Sequence, residues 1–117
     1  MRFLAAKENI PIIELNEMTR TLYESLGVEN STKAFVHYPA GSYPGQKVDL
    51  KDNTHFNPYG AYQIAKCVIE GMKKNKLPII KFLRDDYKEY NPAKPDPIDS
   101  FKWSNSPFTE IEKPDGN

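Results

Sequence analysis

Asp52-Asn53-Thr54-His55-Phe56-Asn57-Pro58-Tyr59-Gly60 joins a polar turn to the start of a helix. Asn57 is a favourable N-cap. Pro58 suits the first helical position, where its fixed φ is preorganised and its missing N–H would have no partner anyway. Beyond it, Ala61, Ile64, Ala65, Val68 and Met72 recur at helical spacing and predict an amphipathic helix with one apolar stripe. Upstream, residues 38–54 hold two prolines, two glycines and no periodicity, which predicts a long loop.

Further out, the elements alternate. Residues 1–8 read as helix, with Phe3, Leu4 and Ala6 turned inward. Pro11-Ile12-Ile13-Glu14-Leu15 is a short apolar run suited to a buried strand of a parallel sheet. Asn16 is expected to cap a helix whose inner face carries Met18, Leu22 and Leu26, closed by Gly27. Ala34-Phe35-Val36 predicts a second short strand, and Leu77 to Leu83 a last short helix. This is an α/β alternation. One or two strands cannot form a doubly wound sheet, so the expectation is a portion of a larger α/β domain.

Composition narrows the possibilities. The net charge is zero, from 16 basic and 16 acidic residues, which gives no electrostatic footprint for nucleic acid and no basic stripe for a membrane surface. No apolar run approaches the roughly 18 residues that span a bilayer. The opening residues lack the apolar stretch of a secretory signal. The single cysteine, Cys67, sits beside the helical stripe and reads as a small buried hydrophobe. Five of the ten prolines fall in residues 84–117, where eight acids face five bases for a net charge of −3. A boundary is therefore expected near Arg84, between a core-forming part, 1–83, and a Pro-rich acidic extension, 84–117.

The chemistry concentrates in Asp52 and His55. A carboxylate three residues before a histidine can accept a hydrogen bond from Nδ1–H, fixing the tautomer and leaving Nε2 free to take a proton. The short separation costs little chain entropy. The same spacing also suits a polar loop that merely caps a helix. His37 lies among aromatics and reads as a packed or substrate-lining residue. Two histidines at this separation make a poor zinc site, so no metal is expected. Tyr38, Tyr43, Phe56, Tyr59 and Trp103 suit either packing or stacking on a flat ligand; Tyr38 and Phe56, with His37, are the substrate-lining candidates.

The string from Asp52 to Asn57, with Gly60-Ala61 and Ile64-Ala65 after it, resembles the last sequence block of the SGNH (GDSL-type) hydrolases. Within them it is most similar to the rhamnogalacturonan acetylesterase-like carbohydrate esterases. Ala34 to Pro39, Pro44-Gly45-Gln46, Phe82 to Tyr87 and Phe101-Lys102-Trp103 extend the likeness. The resemblance implies a flavodoxin-like three-layer α/β/α fold, with 1–83 as its C-terminal part. It also implies an esterase that deacetylates plant cell-wall pectin without metal or organic cofactor, in a parent protein that is secreted or periplasmic. Asp52 and His55 match the family's triad Asp and His.

The family's nucleophilic serine, in a Gly-Asp-Ser block, and its oxyanion glycine and asparagine have no counterpart here. Ser42 lacks the nucleophile-elbow pattern, and Pro44 opposes the helix that should follow it. Asn105 and Asn117 lack the family's context. The chain is thus expected to be inactive by itself, to need the rest of the esterase as partner, and to self-associate through apolar surface. A rival reading is a non-catalytic module whose aromatic loop and acidic tail bind polysaccharide or another protein.

Overall fold

The computed structural model describes residues 1–102, a mixed α/β arrangement of three α-helices and one two-stranded sheet. The elements are α1 (Arg2–Lys7), α2 (Leu15–Thr32), β1 (Phe35–Tyr38), β2 (Leu50–Phe56) and α3 (Pro58–Lys74), followed by two 3-10 turns at Pro78–Phe82 and Ile98–Ser100. The expected short helix after Leu77 is the first of these turns.

α3 is the organising element. Asn57 caps it, its side chain accepting from the Gly60 amide at 3.0 Å, and Pro58 occupies the first turn. Lys73 and Lys74 in the last turn complement the negative end of the helix dipole. The buried face is Tyr59, Gly60, Gln63, Cys67 and Gly71, not the predicted stripe. Ala61 and Ala65 are exposed, while Ile64, Val68 and Met72 are half-buried. At 100° per residue the two faces lie roughly a third of a turn apart. Small residues decide the outcome. A Cβ on Gly60 would stand 2.0 Å from the Ala34 carbonyl oxygen, and one on Gly71 would stand 2.4 Å from Cγ2 of Ile13. Both glycines thus admit a close neighbour that a larger residue would exclude. Cys67 is fully buried, as the sequence led us to expect.

Three expectations upstream of α3 need correction. Pro11–Leu15 is not a strand: residues 11–14 join no ladder, the chain turns at Glu14 (φ −75°, ψ 53°), and Leu15 already opens α2. A strand needs a partner, and here the carbonyls bond elsewhere: that of Ile13 accepts from the Leu15 amide at 2.8 Å, and that of Ile12 from Asn75 Nδ2 at 2.9 Å. Asn16 lies inside α2 rather than capping it; the N-cap is Glu14, with no side-chain cap bond. Phe3, Leu4 and Ala6 on α1 are exposed, because the helix is tethered mainly at its polar edge, where Arg2 meets Glu14 at 2.6 Å. Such an exposed pair contributes little.

Gly27 does interrupt α2, at φ 75° and ψ 171°, but a further turn follows it to Thr32. Leu22 is the fully buried residue of its inner face. The predicted loop of residues 38–54 is shorter than expected, because Leu50–Phe56 pairs antiparallel with β1. Of β2 only Asp52 is even half-buried, so no apolar alternation marks it as a strand.

The segment after Arg84 runs back along α3. The Tyr90 hydroxyl donates to Gln63 Oε1 at 2.9 Å, and the Tyr59 hydroxyl to the Asp96 carbonyl at 2.8 Å. Gln63 Nε2 donates to Asp96 Oδ2 at 2.9 Å, and Lys66 pairs with the same carboxylate. Gln63 is thereby buried with its polar atoms satisfied, as a buried amide must be.

Candidate active site

Register shapes the site. Phe35 pairs with Phe56, and the next residue on β1, Val36, pairs with Asp52. One step on β1 therefore spans four on β2, and Asn53, Thr54 and His55 are extruded from the ladder as a bulge. Bulges of this kind re-aim side chains and end regular pairing.

Asp52 organises the extruded residues. Its Oδ1 accepts from the Thr54 amide at 2.7 Å, the Thr54 hydroxyl at 2.6 Å and the His55 amide at 3.1 Å. Its Oδ2 lies 2.6 Å from Nδ1 of His55. The hydrogen bonds from the Thr54 hydroxyl and amide, then those from His55, hold the Asp52 carboxyl far below the usual carboxylate range. It is an anion at any physiological pH. The His55 side chain is 78% exposed, and its Nε2 has no hydrogen-bond partner among the described residues. An imidazole anchored at Nδ1 by a carboxylate and open at Nε2 is equipped to accept a proton and return it.

Below the bulge, α3 is pinned to the α2–β1 junction. Asn57 donates from its backbone to the Ala34 carbonyl at 3.1 Å and from Nδ2 to the Lys33 carbonyl at 2.6 Å, while its Oδ1 caps the helix. The bulge is thus held at one end by the ladder and at the other by this clamp. Beside it lies a cleft of about 370 Å³, walled by Tyr23, Phe35, Phe56 and Ile64 and edged by Asn53 and Thr54. The Tyr23, Phe35 and Phe56 rings stack in series at 5.3 Å spacings.

The other candidates distribute unevenly. His37 reaches the bulge, with Nε2 2.6 Å from Asn53 Oδ1. Phe56 follows the bulge, pairs with Phe35 and is 45% exposed. Tyr38 stands apart, opposite Leu50, its ring edge-on to Tyr43. Ser42 donates its hydroxyl to the Pro39 carbonyl at 2.8 Å and bonds to neither histidine. Tyr59 packs on Phe101 rather than lining the site. Trp103, Asn105 and Asn117 lie outside the described residues.

Comparison with known proteins adds to this geometry. Over 79 residues, 68% of the chain, it is 38% identical to the rhamnogalacturonan acetylesterase RhgT of Bacillus subtilis. It is 30% identical over 79 residues to the probable rhamnogalacturonan acetylesterase YesY of the same organism. Its curated relatives are rhamnogalacturonan acetylesterases. The matched region covers 34% and 32% of these two acetylesterases, so the chain spans about a third of the length of each. No protein-family model matches the chain, and no solved structure matches it significantly.

Two parts of the site escaped the sequence reading. Asn57 was legible as a cap, but not its second bond to Lys33, which joins residues 24 apart. Thr54 lies inside the quoted motif, and Asp52 two residues before it is the available signal for an Asx-type turn, which its carboxylate makes with the Thr54 amide.

Proposed function

We propose that this chain supplies the acid–base half of a serine esterase that removes acetyl groups from rhamnogalacturonan-type polysaccharide. On this reading it forms the C-terminal part of a flavodoxin-like SGNH hydrolase domain. The observation that carries the proposal is the 2.6 Å contact of His55 Nδ1 with a carboxylate, on an imidazole otherwise open to solvent. The likeness to acetylesterases supplies the substrate class.

The roles follow from the chemistry. A serine hydroxyl from outside the described residues attacks the acetyl carbonyl while His55 Nε2 takes its proton. Asp52, ionised throughout, stabilises the imidazolium that forms. Collapse of the tetrahedral intermediate breaks the bond to the sugar oxygen, which takes the proton from Nε2. Water then attacks the acetyl-enzyme with His55 again as base, and acetate and the free serine are released. Phe56 and His37 flank the bulge, and on this reading they meet the sugar ring.

The test is His55→Ala in the complete esterase that contains this segment, assayed for acetate release from acetylated rhamnogalacturonan. Turnover should fall by about 10⁴ or more. Activity near that of the unsubstituted enzyme would remove His55 from the mechanism.

A further inference from the structure

We propose that Thr54 is a positioning residue for the Asp52–His55 pair: its hydroxyl, donated to Oδ1 of Asp52 at 2.6 Å, fixes the carboxylate so that Oδ2 is left to meet Nδ1 of His55. Its catalytic meaning rests on the esterase reading above; its geometry does not.

Oδ1 collects three donors, and two of them are backbone amides that any residue pair at 54 and 55 would offer. The third belongs to the Thr54 side chain alone. The same hydroxyl oxygen lies 3.2 Å from Nδ1 of His55. Having given its single proton to Asp52, the hydroxyl presents only lone pairs to the imidazole. Nδ1 therefore faces two acceptors, Oδ2 of Asp52 and Oγ1 of Thr54, and both favour a proton on Nδ1 over one on Nε2. Thr54 thus acts on both members of the pair, holding the carboxylate and selecting the tautomer that leaves Nε2 able to accept a proton. Consistent with this, the Thr54 hydroxyl is the foremost cause of the lowered Asp52 carboxyl. His55 is the titratable side chain bonded to Asp52, and His37 is engaged on Asn53. No other charged group among the described residues meets the carboxylate.

The experiment is nuclear magnetic resonance on the 117-residue chain, unsubstituted and as T54V and T54S, following the Asp52 carboxyl carbon and the His55 ring nitrogens against pH. Valine keeps the branched shape that suits extended backbone and removes only the hydroxyl. In the unsubstituted chain, neutral His55 should carry its proton on Nδ1. In T54V the Asp52 midpoint should rise by about one pH unit, and His55 should become a mixture of tautomers. T54S should restore both. A T54V chain with an unchanged Asp52 midpoint and the same single tautomer overturns the proposal. Should T54V fail to fold, the unsubstituted chain decides: a Thr54 hydroxyl proton that exchanges as fast as that of an unstructured threonine overturns it equally. The two readings separate cleanly. Thr54 effects seen here alongside a fully active His55→Ala esterase would leave the positioning intact and sink the esterase assignment.

Discussion

Asp52 meets its demands as a hydrogen-bond acceptor within three residues of itself, and this concentrates the consequences of changing it. Asp52→Asn keeps an acceptor oxygen but lets the amide turn its NH₂ group toward His55, which favours the wrong tautomer. In the complete esterase we expect turnover to drop by about 10³–10⁴ with a much smaller change in KM. An unchanged kcat would mean that the bulge backbone alone orients His55. The local character of the pair also explains why it was legible. Its contact needs only a turn of four residues, and the residue types and spacing that make it are written consecutively. The His37–Asn53 bond, across strands whose pairing the sequence concealed, carried no such mark.

Among elements, α3 shows where pattern reading succeeds and where it fails. Its start was legible because caps act locally through Asn57 and Pro58. Its buried face was not, since periodicity registers apolar side chains while burial here follows close approach at two glycines. The two sites should respond differently to a methyl group. At Gly60 the obstacle is the Ala34 carbonyl, a backbone atom that cannot swing aside, so Gly60→Ala should cost about 3 kcal/mol. At Gly71 it is the Ile13 side chain, which can rotate, so Gly71→Ala should cost about 1 kcal/mol. Urea midpoints of the two variants check the order; equal losses would refute it.

The strap after Arg84 depends on two carboxylates. Burial works to raise both, but hydrogen bonds overcome it and hold them below their usual range: the Tyr90 amide, Lys73 and the Tyr87 hydroxyl at Glu70, and Lys66 and Gln63 at Asp96. A depressed folded-state value stabilises above the unfolded value and is lost as pH falls through the folded one. Docking should therefore be complete above about pH 4.5 and weaken below it. Amide protection at Tyr90, corrected for intrinsic exchange, should decline from pH 5 to 3. Protection that holds steady across that range would count against the mechanism.

At the scale of the whole molecule, the buried apolar set among the described residues is only Leu22, Ala34, Tyr59, Cys67 and Tyr90. Phe3, Leu4, Ile10, Ile79 and Phe82 are all more than half exposed. Covering a large apolar side chain is worth roughly 1.5–3 kcal/mol, comparable in sum with the stability of a small domain. We expect the 117-residue chain to self-associate, and a monodisperse monomer of about 13.4 kDa by light scattering would contradict this. The same chain should hydrolyse p-nitrophenyl acetate no faster than free imidazole at equal histidine concentration. Labelling by a fluorophosphonate probe would reverse that expectation and reinstate Ser42.

The bulge also bears on how such a site could be assembled. Because Asp52 and His55 sit three positions apart within one ladder step, their separation is set locally, between the ladder and the Asn57 clamp. On the proposed reading, docking of the part that carries the serine sets what remains, the approach of the attacking oxygen to Nε2. Activity in the complete esterase then becomes, on that reading, a gauge of whether its two parts have met.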